Sequence, residues 1–251
     1  MILAVCMQKG GSGKTTTTAI LAQAAARKSL QVLVIDMDPQ KNVTAALGLA
    51  ADDTKTGDAY GLLTGDTPVN QIHESKQAYI DIVPGTDALS TITTGPGSAR
   101  RLQDALKPVR ALYDLIIIDT PPTVGELQYN AILAADKIVI PLSADTYSEQ
   151  GLFTMADIVR QFQQHKPDLV VGGILFTRFS QNSDYDRQLF REIINKGVKD
   201  LQLPFLGTVR PTDKVKEAAR DQVSIYHRAP KCTAAVDYIN IFNEVTNYKY
   251  T

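Results

Sequence analysis

The stretch Lys9-Gly10-Gly11-Ser12-Gly13-Lys14-Thr15-Thr16, entered from the apolar run Ile2-Leu3-Ala4-Val5-Cys6-Met7, reads as strand, glycine-rich turn and helix. Consecutive glycines let backbone N–H groups turn inward around an anion with no Cβ in the way. A helix beginning at Lys14 adds the positive end of its dipole. On this reading Gly10, Gly11, Ser12, Gly13 and Thr16 belong to a phosphate cradle, Lys14 reaches the β- and γ-phosphates, and the Thr15 hydroxyl is placed to hold Mg²⁺. The ordinary spelling of such a loop, G-x-x-x-x-G-K-[ST], is not matched in full, because Gln8 holds the first place.

A second lysine, Lys9, stands in front of the glycines. The spelling K-G-G-x-G-K-[ST]-[ST] resembles the deviant Walker A loop of the ParA/MinD family of ATPases. The resemblance implies that Lys9 reaches across a dimer to the partner subunit's nucleotide.

After the loop, Ile20, Leu21, Ala24 and Ala25 recur at helical spacing, so a helix is predicted over Thr15 to Lys28. Gln31 to Asp36 is a short apolar run of the kind that forms a buried parallel strand. Strand, helix and strand in about 30 residues make a βαβ unit, with the loop at the carboxyl end of its first strand, where open α/β sheets hold their ligands. The second strand ends in Asp36-Met37-Asp38-Pro39-Gln40, and carboxylates spaced i, i+2 point the same way. This string resembles the switch I segment of the ParA family. The resemblance implies that Asp38 orients the attacking water and that Asp36 contributes to the metal's outer shell.

Residues 41–98 say less. Asn42 to Leu49 is predicted helical, Thr56 to Leu63 a short amphipathic piece, Tyr79 to Pro84 a strand, and Gly85 to Ser98 largely loop. Beyond a helix predicted over Ala99 to Leu112, Leu115-Ile-Ile-Ile-Asp119 is an apolar strand closed by a carboxylate that would hold Mg²⁺. Further helices are expected over Glu126 to Ala134 and Gln150 to Lys166, and strands over Lys137 to Pro141 and Leu169 to Phe176.

The string from Tyr113 to Gly151, Y-D-L-I-I-I-D-T-P-P … N-A-I-L-A-A-D-K-I-V-I-P-L … E-Q-G-L, resembles the ParA/Soj partitioning ATPases. With the loop and Asp38 the resemblance spans Met1 to about Ile241. It implies one P-loop ATPase domain over residues 1–251, α/β in class, with a doubly wound, mostly parallel sheet and helices on both faces. It further implies ATP and Mg²⁺ as cofactors, ATP hydrolysis, and a nucleotide-dependent homodimer that binds DNA non-specifically. A ParB-like adaptor that stimulates hydrolysis and a cytoplasmic, nucleoid-associated location follow from the same likeness. Thr177, Arg178 and Pro211, at the ends of late strands, are placed like the family's contacts to the base. A MinD-like membrane-cycling ATPase is the alternative.

Composition sets wider bounds. A chain of 251 residues with 44% apolar and 21% charged residues can bury roughly three quarters of its unfolded surface. The formal net charge is only −1, yet Arg178 to Lys231 holds 11 Lys/Arg against 7 Asp/Glu. Lys199, Arg210, Lys214, Lys216 and Arg220 are therefore the candidates for DNA phosphates. The 2 cysteines, Cys6 and Cys232, lie at opposite ends of the chain and point to a reducing compartment, not to a metal cluster. His73, His165 and His227 are scattered and are expected at the surface. No apolar run approaches the roughly 20 residues of a membrane helix. The closing helix, predicted over Lys231 to Thr246, is flanked by only Lys231 and Lys249 and is expected to pack on the sheet instead of a lipid surface.

Overall fold

The computed structural model describes residues 1–49, 57–95, 97–143 and 148–247. Its strands are β1 (Ile2–Val5), β2 (Val32–Asp36), β3 (His73–Glu74), β4 (Ile80–Val83), β5 (Leu115–Asp119), β6 (Lys137–Ser143), β7 (Val170–Thr177) and β8 (Phe205–Thr208). They form one sheet in the order β3-β4-β2-β5-β1-β6-β7-β8, parallel except for the antiparallel edge strand β3. The α-helices are α1 (Lys14–Ala26), α2 (Asn42–Leu47), α3 (Ala59–Thr64), α4 (Arg101–Leu106), α5 (Glu126–Ala134), α6 (Ser148–Gln163), α7 (Asp184–Ile193), α8 (Lys214–Arg220), α9 (Ile225–Arg228) and α10 (Thr233–Thr246).

The central strands are apolar throughout because both faces of the sheet are covered. Ile2 and Ala4 of β1 and Cys6 just after it, with Leu33, Ile35, Ile116 and Ile118, pack on the side of α3, α4, α5, α6 and α7. The alternate residues Leu3, Val5, Val32, Val34, Leu115 and Ile117 pack on the side of α1, α2, α8, α9 and α10. Period-2 alternation thus feeds two separate cores from one set of strands, and this is the doubly wound α/β architecture expected.

Local chemistry moved several element boundaries. The helix expected over Asn42 to Leu49 stops at Leu47, where Gly48 takes a left-handed conformation (φ 88°). The one expected over Ala99 to Leu112 is broken into a 3₁₀ turn (Ser98–Arg100), α4 and a second 3₁₀ turn (Arg110–Leu112), with Pro108 between the last two. Asp87–Thr91 forms a 3₁₀ turn inside the expected loop. The predicted amphipathic piece begins at Thr56, outside the described residues, and its ordered part is α3, capped by the Asp58 side chain on the N–H of Gly61.

The closing helix packs where expected. Ala235, Tyr238, Ile241, Phe242 and Val245 are buried against the sheet, Tyr238 Oη shares a hydrogen bond of 3.0 Å with Thr17 Oγ1 of α1, and Lys28 Nζ donates to Asn243 Oδ1. Each fully buried Ile, Phe or Val side chain stabilises by about 1.5–3 kcal/mol, against about 1 kcal/mol for each basic residue at an anionic membrane surface. Burial wins, and Lys249 lies outside the described residues. No described helix is long and apolar enough to cross a membrane.

Candidate nucleotide site

The carboxyl ends of three adjacent strands, β2, β5 and β1, build the site. Val5 pairs with Asp119, and Asp119 pairs with Asp36, so the glycine loop and both strand-end carboxylates meet on one edge. Gly11 (φ 74°) and Gly13 (φ 91°) have the left-handed backbone that the turn requires. A Cβ on Gly13 would lie 2.9 Å from Thr177 Cγ2, so this position also excludes a side chain sterically. Gly13 is the N-cap of α1, and no side chain caps the helix there, which leaves the first-turn N–H groups directed at the cleft.

Lys14 is 6% exposed and its Nζ donates to the Lys9 carbonyl at 2.9 Å, bridging the loop. Burial lowers its pKa, while Asp119 and Asp38 pull in the other direction. Ser12 Oγ donates to the same carbonyl at 3.2 Å. Thr15 Oγ1 donates to Asp119 Oδ2 at 2.8 Å and Thr18 Oγ1 to Asp119 Oδ1 at 3.2 Å. Asp119 is fully buried, and burial first and the nearby Asp36 second push its pKa up. A divalent cation would reverse that direction. A hydroxyl and a carboxylate are hard oxygen donors of the kind Mg²⁺ takes, so Thr15 and Asp119 fit the ion.

Asp36 is fully buried as well and holds the neighbouring segment. Its Oδ1 accepts the N–H of Asp38 at 3.0 Å, and its Oδ2 accepts the N–H and the hydroxyl of Thr44 at 3.0 and 2.6 Å. Thr44 Oγ1 in turn accepts the N–H of Gly85 at 3.0 Å. Burial raises the pKa of Asp36, and these hydrogen bonds oppose the rise. Asp38, held through its backbone by Asp36, accepts the N–H of Gln40 at 2.9 Å and lines the cleft. Thr44→Val is therefore expected to lower stability by about 1–3 kcal/mol, since it strands the buried N–H of Gly85 and removes one of the three donors on Asp36. Chemical denaturation checks this, and Thr44→Ser should recover most of the loss.

The cleft has a volume of about 550 Å³ and is walled by Gly10, Gly11, Gly13, Lys14, Thr15, Thr16, Asp38, Thr177, Arg178 and Pro211 among the residues expected from the sequence. Thr177 Oγ1 donates to Ser12 O at 2.9 Å, and Arg178 Nη2 to Gly11 O at 2.9 Å, which ties the end of β7 to the loop. Gln40 and Pro122, from the two strings that follow Asp36 and Asp119, line it as well, and Asn42, Val209, Thr212, Val215 and Tyr238 complete the lining without having been expected there. Of these last five, Tyr238 carried a signal, as part of the apolar stripe of the last helix. Lys9, Ser12, Asp36 and Asp119 stand beside the cleft or beneath it, outside its lining.

The basic residues do not gather into one patch. Lys199 follows α7 on one face of the sheet, whereas Lys214, Lys216 and Arg220 belong to α8 on the other. Arg210 forks onto Asp237, Lys214 pairs with Glu217, Lys216 with Asp213 and Arg220 with Asp221. Arg210 and Lys216 also line the nucleotide cleft. His73, expected at the surface, is half-buried, with Nε2 against the carbonyl of Gly57 at 2.9 Å.

A glycine-rich loop between a buried strand and a helix, with Thr15 bonded to the carboxylate that ends a neighbouring strand, defines a P-loop NTPase fold. Comparisons with known proteins narrow the class. A family model described as an AAA domain matches residues 1–171. The chain is 37% identical over 224 residues to the chromosome partitioning protein ParA of Myxococcus xanthus, covering 82% of this chain and 79% of that one. It is 34% identical over 251 residues to the sporulation initiation inhibitor protein Soj of Bacillus subtilis, covering 97% of each. This chain belongs to the ParA/Soj family of partitioning ATPases. Among solved structures, cobyrinic acid a,c-diamide synthase from Mycobacterium smegmatis with bound ADP and magnesium superposes with a TM-score of 0.77 at 28% identity, over 88% of this chain and 91% of that one.

Proposed function

We propose that this chain is an ATP-dependent dimerisation switch that binds DNA non-specifically and hydrolyses ATP to partition plasmid or chromosomal DNA. The observation that carries the reading is the bond from Thr15 to Asp119 at the foot of α1, with Lys14 and Asp38 in the same cleft. In this reading the N–H groups of Gly10 to Thr16 and the Lys14 ammonium hold the phosphates, while Thr15 and Asp119 hold Mg²⁺. Held there, magnesium would supply positive charge that offsets the charge of the phosphates. Asp38 orients the water, and Asp36 positions Asp38 through the backbone bond already described. Thr177, Arg178 and Pro211 take the base side of the cleft.

Lys9 serves the partner subunit's nucleotide, so the DNA-binding form is the dimer. Lys199, Arg210, Lys214, Lys216 and Arg220 are the residues to exchange in mapping the DNA contact, and those held in ion pairs must exchange a carboxylate for a phosphate to take part. Hydrolysis, stimulated by a ParB-like adaptor, ends the DNA-bound state in the cytoplasm. One domain over residues 1–251 is sufficient for this cycle.

The test is binding to duplex DNA of arbitrary sequence with ATP, with ADP and without nucleotide, across a salt series. The expected result is binding with ATP alone, weakening steeply with salt and lost in Lys9→Ala. Equal binding in all three conditions, or none, would remove the DNA half of the proposal. Sedimentation with anionic vesicles in the presence of ATP would then favour a membrane-cycling role.

A further inference from the structure

A second hollow, of about 460 Å³, lies at the far end of α1 from the glycine loop. Three segments wall it: Gln23, Ala26 and Arg27 at the end of α1, the turn from Lys76 to Ile80 that enters β4, and the turn from Gln222 to His227 around the start of α9. The principal cleft's lining on α1 ends at Thr16 and the hollow's begins at Gln23, so at about 1.5 Å of rise per residue the two stand roughly 10 Å apart along one helix.

The chemistry of the lining is one-sided. Arg27, Lys76 and His227 contribute to the wall and, among the described residues, no carboxylate does. The Arg27 guanidinium lies over the Tyr226 ring, 5.6 Å from its centroid. Lys76 Nζ donates to a neutral acceptor, Gln222 Oε1, at 2.9 Å. An anion placed between these groups is favoured by charge and by forked donors.

Gln77 adds a second, independent requirement. It is 8% exposed, its Nε2 donates to Ala46 O at 3.4 Å, and its buried Oε1 has no hydrogen-bond partner among the described residues. The bond to Ala46 assigns the amide's orientation, so the unpaired atom is an acceptor. A buried acceptor without a donor is unfavourable, and an acceptor-only anion such as sulfate cannot supply one.

We propose that this hollow is an accessory binding site for a sugar-phosphate group, either a free sugar phosphate or that unit of a nucleoside monophosphate. Arg27, Lys76 and His227 receive the phosphate, and Gln77, held by one long bond to Ala46, turns its buried Oε1 into the hollow to accept a sugar hydroxyl. The site is separate from the P-loop, and occupancy would be sensed at the end of the helix whose first turn faces the principal cleft.

The experiment is an NMR titration of the ¹⁵N-labelled full chain with its P-loop filled by ADP and magnesium. Ribose 5-phosphate and guanosine 5′-monophosphate are the probes, with sodium sulfate and ribose as controls. Millimolar additions of at least one phosphate ester should shift the amides of Arg27, Lys76, Gln77 and His227, and the response to the two esters distinguishes the two sources. Arg27→Ala and Lys76→Ala, both at exposed positions, should each weaken binding about tenfold or more. Gln77→Leu should weaken the ester about tenfold while leaving sulfate unaffected. Amides that stay unmoved by both esters, binding undiminished in Arg27→Ala and Lys76→Ala, or sulfate bound as tightly as the esters (an adventitious ion only) would each overturn the proposal. So would a response to duplex DNA alone.

Discussion

Lys14→Ala is expected to abolish nucleotide binding at working concentrations while leaving the fold intact. Lys14 begins α1 from inside the cleft wall, and its ammonium already crosses the glycine loop to the Lys9 carbonyl. A phosphate seated in the loop meets that ammonium with no rearrangement of the backbone. Two charge-assisted hydrogen bonds of about 1.5–3 kcal/mol each correspond to roughly a hundredfold to ten-thousandfold in Kd. Loss of the side chain leaves the Lys9 carbonyl with Ser12 Oγ as a donor, so folding stability should change little. Equilibrium binding of a fluorescent ATP analogue reads the effect, and a loss below about tenfold would show that the loop's N–H groups carry the phosphates without the lysine.

The second large effect belongs to Asp38. Asp38→Ala should bind nucleotide and dimerise as the parent does, yet release phosphate about a hundredfold to ten-thousandfold more slowly. The distinction from Asp36 is structural. Asp36 is fully buried with three protein donors on its oxygens, so its removal should be read as lost stability. Asp38 stands on the cleft wall with the N–H of Gln40 as its hydrogen-bonded neighbour, so its removal should be read in the rate. Phosphate release measured together with size-exclusion chromatography in ATP separates the two outcomes. Parental turnover in Asp38→Ala would pass the water-orienting role to another residue of the cleft.

The parts of this molecule legible in the sequence are those in which residue type and position carry the same message. Ile2 to Val5, Val32 to Ile35 and Leu115 to Ile118 are unbroken apolar runs because both sides of each strand are buried, and the last two are closed by Asp36 and Asp119. Their terminal residues could therefore be assigned to the edge where the chemistry lies. The far wall of the cleft was not legible, because Val209, Val215 and Tyr238 look like ordinary core residues and come together only through the packing of α8 and α10. The ion pairing of the basic segment was not legible for a related reason. Arg210 meets Asp237 across 27 positions of sequence, and a local charge balance cannot register a partner that distant. The two-residue strand β3 is too short for a periodic signal and exists because Glu74 and His73 find Asp81 and Ile82 opposite them.

Val5 and Asp36 both sit opposite Asp119 on adjoining strands, and such strands are about 4.8 Å apart whatever length of chain joins them. A surface stretch such as Thr93 and Thr94, which is exposed, is accordingly a place where the polypeptide can be lengthened, tagged or cut and rejoined. Doubling a loop adds only about 0.6 kcal/mol of closure entropy. A slip of one residue along β5 would instead turn Asp119 to the opposite face of the sheet. Insertions should thus be tolerated at the rim, while the same chain will not accept a single insertion inside its three central strands.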